Sequence, residues 1–120
     1  MNDIQIHNRP EVYASILQKS KEIGFTMPSD LYIGSLLKTL VTSKPGGRFL
    51  ELGTGIGLGT SWIVDGMDAS SQLTTVDNDP KLIAIARDYF GKDNRICILC
   101  TDGAQWLSTH THEKFDLVFA

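Results

Sequence analysis

The sequence predicts an α/β fold in which helices cover both faces of a parallel β-sheet. From Arg48 onward, short apolar runs alternate with stretches of helical periodicity, and this alternation is typical of βαβ units. Right-handed crossovers join such units into a doubly wound sheet, whose ligand crevice lies at the carboxyl ends of the strands. The length of 120 residues fits a single domain of ordinary size.

Two helices are predicted before the sheet. Pro10 suits the first turn of one helix and Gly24 is a natural stop for it. Ser29 can cap the second helix. Its apolar stripe, which we expect to cover the sheet, consists of Ile33, Leu36, Leu37, Leu40 and Val41. We therefore divide the chain into amino-terminal helices over residues 1–46 and a sheet-forming part over residues 47–120.

Four strands follow, with a helix after each of the first three. The strands are the runs RFLEL, LTTVD, RICIL and FDLVFA, and the helices are expected near residues 60–64, 80–90 and 103–107. Open sheets of this type normally continue with further strands. We therefore expect either the amino-terminal part of a longer domain or a half-sheet that pairs with another copy.

Charge and hydropathy exclude two classes of partner. The chain carries 11 basic and 14 acidic residues, and the basic ones are scattered, so no surface for nucleic acid is predicted. No apolar run approaches the length that crosses a bilayer, and the amino terminus has no leader pattern. We expect a cytoplasmic protein.

The only two cysteines form a C-x-x-C motif. A second pair or a suitably spaced histidine is needed for a zinc site, and the sequence has neither. Cys97 and Cys100 also lie in an apolar run typical of a strand, where positions three apart face opposite sides. We expect two separate buried thiols.

The most informative motif follows the first strand and opens a helix. Gly53, Gly55 and Gly57 alternate there, which allows a sharp turn and close approach of a ligand to the backbone. The spacing does not match the G-x-G-x-x-G of dinucleotide sites, because Leu58 stands where the third glycine is required. The motif of a nucleoside triphosphate loop is also absent from the sequence.

Glu51 lies two residues before this turn. A carboxylate at that point disfavours a pyrophosphate and attracts a cation. S-adenosylmethionine carries an ammonium and a sulfonium group and no phosphate, so it suits this strand end better than NAD does. A solvated or helix-paired carboxylate is the alternative for Glu51.

Two further carboxylates follow the second and third strands. Asp77 stands where a carboxylate can accept both hydroxyls of a ribose. A helix cap is the alternative, although Asp79 fills that role better. Asp102 can accept the exocyclic amine of adenine, or cap the short helix that follows it, or do both.

Together these residues resemble the class I S-adenosylmethionine-dependent methyltransferases. The resemblance is carried by E-x-G-x-G-x-G, the acid ending the second strand, the Asp-Gly-Ala after the third, and FDLVF as the fourth. The segments TMPSDLYIGSLLKTL and FLELGTGIGLGTSWI are similar to the small O-methyltransferases related to catechol and caffeoyl-CoA O-methyltransferases. The resemblance covers about residues 25–120 and implies a Rossmann-like sheet with strand order 3-2-1-4.

The resemblance also implies roles for individual residues. Glu51 and the backbone of Gly53 would hold the methionine end of S-adenosylmethionine, Asp77 the ribose, and Asp102 with Ala104 the adenine.

The resemblance also implies which residues lie at the mouth of the pocket and which bind the carboxylate of the cofactor. Thr26, Met27 and Ser29 would line the mouth of the pocket. The family often has a serine where this chain has Gly59, and the hydroxyl of that serine would bind the carboxylate of the cofactor. Thr60 is the expected substitute for this serine.

The predicted function is transfer of the methyl group of S-adenosylmethionine to a small-molecule acceptor, at an oxygen atom. Two alternatives remain open. One is another nucleoside-binding enzyme, such as an aminopropyltransferase or an NAD-dependent dehydrogenase. The other is a non-catalytic module for cofactor binding or assembly.

Catalytic groups are not assigned. Metal-dependent relatives place their metal ligands and catalytic lysine after the fourth strand, so Mg²⁺ is expected only in a longer intact protein. We expect residues 1–120 alone to be inactive, and to self-associate as a homo-oligomer through the strand over residues 115–120. That strand would be an outer one, with an apolar run and an unprotected edge.

Overall fold

A computed structural model describes residues 10–24 and 31–120 and contains a parallel four-stranded sheet in the order β3-β2-β1-β4. This confirms the predicted fold class and strand order. The strands are β1 (Arg48–Leu52), β2 (Gln72–Asp77), β3 (Ile96–Cys100) and β4 (Leu117–Phe119). The helices are α1 (Tyr13–Ile23), α2 (Leu31–Thr42), α3 (Leu58–Gly66), α4 (Pro80–Phe90) and α5 (Gly103–Thr109).

Apolar side chains fill both faces of the sheet. On one face, Phe49 of β1 packs in a cluster with Ile63 of α3. On the other face, its neighbour Leu50 packs with Trp106 of α5. Successive residues of a strand point to opposite faces, so a continuous apolar run such as RFLEL can serve two helical layers.

Local signals in the sequence set the helix ends. The carboxylate of Asp79 accepts the backbone N–H of Lys81 and caps α4, and Asp102 caps α5 in the same way. Gly24 adopts the left-handed conformation that ends α1. The expected cap of α2, Ser29, lies outside the described residues.

The amino-terminal helices pack on α3. The rings of Tyr13 and Trp62 meet edge to face at 5.6 Å between centroids, and both side chains belong to one buried cluster. A Cβ at Gly34 of α2 would overlap the indole of Trp62, so glycine permits this close helix contact. Residues on both sides of position 46 thus share a core, and the division into two segments stays a prediction.

The expected role of the α2 stripe is wrong in part. α2 packs chiefly on α3, and its Val41 joins the buried cluster of Phe49 from β1. Val41 is buried, but Ile33 and Leu36 are 57% and 56% exposed. Helical spacing identified the apolar face of α2 correctly. It does not indicate how much of that face the neighbouring elements cover.

The expectation of two buried thiols is also wrong, because Cys97 and Cys100 are both exposed. β3 is the edge strand of the described sheet and pairs only with β2. An apolar run in an edge strand is covered less completely than the same run in a central strand.

β4 is shorter than the predicted strand over residues 115–120. Phe115 precedes it and packs near Trp106, with ring centroids 6.0 Å apart. Within β4, Leu117 and Phe119 pack against the core, whereas Val118 is 55% exposed. β4 is thus an outer strand of the described sheet with one exposed apolar side chain, as expected from the sequence.

Two glycines of the turn after β1 provide a matched test of packing. Gly53 and Gly57 have φ values of 101° and 102°, so alanine is similarly strained at either position, by roughly 1–2 kcal/mol. A Cβ at Gly57 would lie 2.7 Å from the buried Phe90 ring, whereas a Cβ at Gly53 would meet nothing within 4 Å. We expect Gly57→Ala to lower the free energy of unfolding by about 1–3 kcal/mol more than Gly53→Ala, as measured by urea denaturation. Equal losses in the two variants would show that Phe90 does not constrain the turn.

Candidate cofactor site

The candidate site begins where β1 turns into α3. Gly53 and Gly55 both have positive φ, and the backbone N–H of Gly53 donates to the carbonyl of Val76 in β2 at 2.7 Å. This bond fixes the turn against the neighbouring strand. The space beside Gly53 is open, as expected where a ligand approaches the backbone.

Glu51 is the buried ionisable group among the described residues of the site, with 7% of its surface exposed. It lies next to Thr75 of β2 in the sheet register. Its Oε1 accepts the hydroxyl of Thr60 at 2.5 Å and that of Thr75 at 2.7 Å. The hydroxyls of Thr75 and Thr54 are 2.6 Å apart. Because Thr75 donates its only proton to Glu51, Thr54 must be the donor in this pair.

Burial raises the pKa of Glu51 to about 7. The hydrogen bonds from Thr60 and Thr75 act in the opposite direction, and the nearby charge of Asp77 raises the pKa further. The side chain is therefore protonated in a large fraction of molecules at neutral pH, and a cation beside it would favour the charged form.

Asp77 ties the turn to the end of β2. Its Oδ2 accepts the backbone N–H of Gly55 at 2.8 Å, and its Oδ1 accepts that of Asp79 at 3.0 Å. Each carboxylate oxygen has a second lone pair, and the side chain is half-buried. Asp77 thus keeps capacity to accept hydroxyl groups from a ligand.

Asp102 begins the third part of the site. Its Oδ1 accepts the backbone N–H of Gln105 at 2.9 Å, so the capping alternative is confirmed. Asp102 and Ala104 are exposed, and Asp102 follows β3 at the same edge of the sheet as Asp77. The proposed contact with adenine stays a prediction.

A cleft connects the first of these features to α2 and β4. Its lining combines the polar strand end with apolar side chains: Ile33, Leu37, Glu51, Leu52, Gly53, Gly59, Phe119 and Ala120. One acidic group thus lies in a largely apolar wall.

The structure brings most of the expected residues to one edge of the sheet. Thr60 is fully buried and its hydroxyl donates to Glu51. This side chain is therefore better placed to position Glu51 than to contact a cofactor carboxylate directly. Thr26, Met27 and Ser29 lie outside the described residues. Sequence reasoning missed Thr54 and Thr75, although a threonine in an otherwise apolar strand beside the strand of Glu51 was a usable signal.

Comparison with protein families decides the classification. Residues 50–120 match a family model described as a methyltransferase domain. The chain belongs to this methyltransferase family. The match begins within β1 and includes β2, β3 and β4.

Individual relatives agree with this classification. The methyltransferase chain is 30% identical over 112 residues to a Mycobacterium leprae protein named "Putative O-methyltransferase", covering 90% of this chain and 50% of that protein. A crystal structure titled as a putative O-methyltransferase from Klebsiella pneumoniae has a TM-score of 0.76 and 27% identity, over 92% of this chain and 52% of that one.

A second similar structure is that of the S-adenosylhomocysteine-bound Podospora anserina methyltransferase. Its TM-score is 0.72 and its identity 26%, over 93% of this chain and 50% of that one. The methyltransferase chain thus spans about half the length of the relatives it matches.

The described part of the methyltransferase chain offers neither a metal cluster nor a membrane-spanning helix. Residues 10–24 and 31–120 contain no group of three or more His, Cys, Asp or Glu side chains placed to hold a metal ion. None of the helices in these ranges has the length and apolarity required to cross a membrane.

The raised pKa of Glu51 makes a prediction about stability. Since this pKa is about 7 in the folded protein, against 4.5 for an ordinary glutamate, protonation stabilises the fold. This contribution is present below about pH 4.5 and is lost as the pH rises through about 7. The difference is about 3 kcal/mol. Replacing Glu51 by Gln should therefore remove a pH-dependent loss of stability between pH 5 and 8, measured by urea unfolding.

The control is Glu22→Gln, which changes an exposed glutamate on α1 and should leave the pH dependence of the wild type. If Glu51→Gln shows the same fall in stability with pH as the wild type, the buried carboxyl is already ionised and the prediction is wrong.

Proposed function

We propose that this chain binds S-adenosylmethionine across the carboxyl ends of β1, β2 and β3, as part of an enzyme that methylates an oxygen atom of a small molecule. The observation that carries the proposal is the open backbone at Gly53 beside the buried carboxyl of Glu51. Such a pair suits a ligand that brings an ammonium group and no phosphate.

The methionine end would lie against Glu51 and Gly53. Glu51 would face the ammonium group, and the absence of a Cβ at Gly53 allows the ligand to approach the backbone. Gly55 and Gly57 shape the turn around this point. The apolar side chains of Leu37 and Phe119, which line the same cleft, would exclude water from the methionine chain.

The nucleoside would extend along the strand ends. Asp77 would accept the two ribose hydroxyls while its bonds to Gly55 and Asp79 keep the carboxylate in place. Asp102 would accept the exocyclic amine of adenine, and the backbone near Ala104 would face the ring edge. Met27 and Thr60 complete the set of residues proposed for the pocket, Thr60 through its bond to Glu51.

The chemistry would depend mainly on positioning. S-adenosylmethionine supplies an activated methyl group on its sulfonium centre, and transfer to an oxygen is an in-line displacement. The described residues would bind and orient the donor. Because the chain spans about half the length of the relatives it matches, we assign the acceptor site and any Mg²⁺ requirement to the longer protein.

Relatives support the choice of cofactor. The Podospora anserina methyltransferase, at 26% identity, was crystallised with S-adenosylhomocysteine. The Mycobacterium leprae relative carries an O-methyltransferase name, which supports oxygen as the acceptor atom. The cytoplasmic location suggested by the sequence stays a prediction.

The test is isothermal titration of residues 1–120 with S-adenosylhomocysteine and with NAD. We expect S-adenosylhomocysteine to bind more tightly, because a pyrophosphate beside Glu51 is unfavourable. Asp77→Asn should raise its Kd roughly 10- to 100-fold, as expected for loss of charge-assisted hydrogen bonds worth about 1.5–3 kcal/mol.

The matched control is Asp88→Asn, which changes an exposed carboxylate on α4 and should leave the Kd unchanged. Unfolding curves would verify that both variants are folded. Equal or tighter binding of NAD would overturn the proposal and favour a dinucleotide enzyme. Normal binding by Asp77→Asn would overturn the ribose assignment alone.

We also propose that residues 1–120 self-associate along β4. In the described sheet β4 pairs only with β1, so its other edge offers unpaired backbone groups. Val118 is 55% exposed on this strand, and the exposed Ile33 of α2 lines the same cleft as Phe119 of β4.

Sedimentation velocity at micromolar concentration tests this association. We expect a species larger than the 13.2 kDa monomer, and Val118→Lys should reduce it because a charge at the edge opposes strand pairing. The control is Leu107→Lys, at an exposed apolar position on α5, which should have no effect. A clean monomer for the wild-type chain would show that the edge is not an interface.

A further inference from the structure

A run of hydrogen bonds joins one carboxyl group to three hydroxyl groups inside the candidate site. We call Thr54, Thr75, Glu51 and Thr60 the threonine network. Thr54 donates to Thr75, and Thr75 and Thr60 both donate to Oε1 of Glu51. The members are at most 7% exposed. The network comes from β1, β2, α3 and the turn between β1 and α3, so it spans most of the site.

The network contains no positive charge. None of the ion pairs formed by residues 10–24 and 31–120 involves Glu51. From β2 the facing ionisable group is Asp77, which is acidic. From α3 the facing side chain is Thr60, from β4 it is Phe119, and α2 contributes the apolar Ile33 and Leu37 to the cleft. Lys38 of α2 is paired with Asp65 of α3.

We propose that the threonine network makes binding of the methyl donor's ammonium group release one proton from Glu51, with Thr60 and Thr75 as positioning residues for that carboxyl. This inference rests on the proposed function and adds a coupling between cofactor affinity and pH.

The geometry explains the direction of the coupling. Both hydroxyls bond to Oε1, so Oε2 is the oxygen left for a ligand. Without a cation, desolvation favours the protonated carboxyl. An ammonium group beside Oε2 stabilises the carboxylate, and the two hydroxyl donors stabilise the same charged form. The proton leaves Glu51 for the solvent, and the ligand's ammonium group keeps its own protons.

The size of the effect follows from the protonation of Glu51. With a pKa of about 7, roughly a tenth of the free protein has the carboxylate at pH 6 and roughly nine tenths at pH 8. If the ligand binds the carboxylate form, its Kd falls about tenfold over this interval.

The primary experiment compares two ligands that share the adenosine group. S-adenosylhomocysteine carries the ammonium group, whereas 5′-methylthioadenosine lacks it. Titration calorimetry at pH 6.5 in buffers of different ionisation enthalpy counts released protons. Because about three quarters of the free protein has Glu51 protonated at this pH, we expect release of about three quarters of a proton for S-adenosylhomocysteine. We expect none for 5′-methylthioadenosine, and none for either ligand with Glu51→Gln.

Thr60→Val tests positioning, since it removes one donor to Glu51 with little change in side-chain volume. The midpoint of the Kd-against-pH curve should move upward, and the Kd at pH 7 should rise about tenfold. A purely structural role would weaken binding without moving the midpoint. The control is Thr39→Val, which removes an exposed hydroxyl that donates to the carbonyl of Ser35 in α2.

The outcomes separate this inference from the proposed function. Binding of S-adenosylhomocysteine with no proton release and a pH-independent Kd would overturn the coupling and leave the function standing. No binding between pH 6 and 9 would overturn both. A ¹³C NMR titration of the Glu51 carboxyl in the free protein provides a test without ligand, and ionisation in the usual range of glutamate would overturn the coupling.

Discussion

The buried carboxyl of Glu51 is the constraint on which the candidate site depends. A charge at this depth is costly unless donors or a cation accompany it. Within residues 10–24 and 31–120 Glu51 has donors and no cation beside it: Thr60 from α3 and Thr75 from β2. These bonds require β1, β2 and α3 to hold one relative position, since a displacement of any of them would leave a buried polar group unpaired. The carboxyl therefore links the packing of the central strands to the geometry of the ligand cleft.

A second carboxylate connects the glycine turn to the sheet in a similar way. Asp77 accepts the N–H of Gly55 across the strand ends and also the N–H of Asp79, whose own side chain caps α4. The backbone that a cofactor would touch is thus held by the residue proposed to bind its ribose. Fold and ligand binding share these groups, and each variant at this site requires separate measurements of unfolding and of affinity.

The sequence predicted the fold and the location of the site more accurately than it predicted exposure. The bounds of α4 are as expected because Asp79 and Pro80 are strong local signals, and alternating periods indicated the α/β class. The strand order agrees with what the family resemblance implied. The exposure of Cys97 depends on which strand lies at the edge of the sheet. The exposure of Ile33 depends on how much of α2 is covered by α3. Neither can be read from the local sequence. The pairing of Thr75 with Glu51 needs the register of two strands that are more than 20 residues apart.

The same register changes the electrostatic argument made from sequence. A carboxylate before the glycine turn was expected to attract a cation as a fixed negative charge. In the fold, burial and the neighbouring Asp77 raise the pKa of Glu51 to about 7, so only part of the negative charge is present near neutral pH before a cation arrives. A pyrophosphate in the same place would favour the neutral form still more and would gain no ion pair with Glu51. Selectivity between the two classes of cofactor therefore comes from the Glu51 carboxyl, whose ionisation responds to the charge of the ligand. Thr60 and Thr75 are placed to stabilise its ionised form.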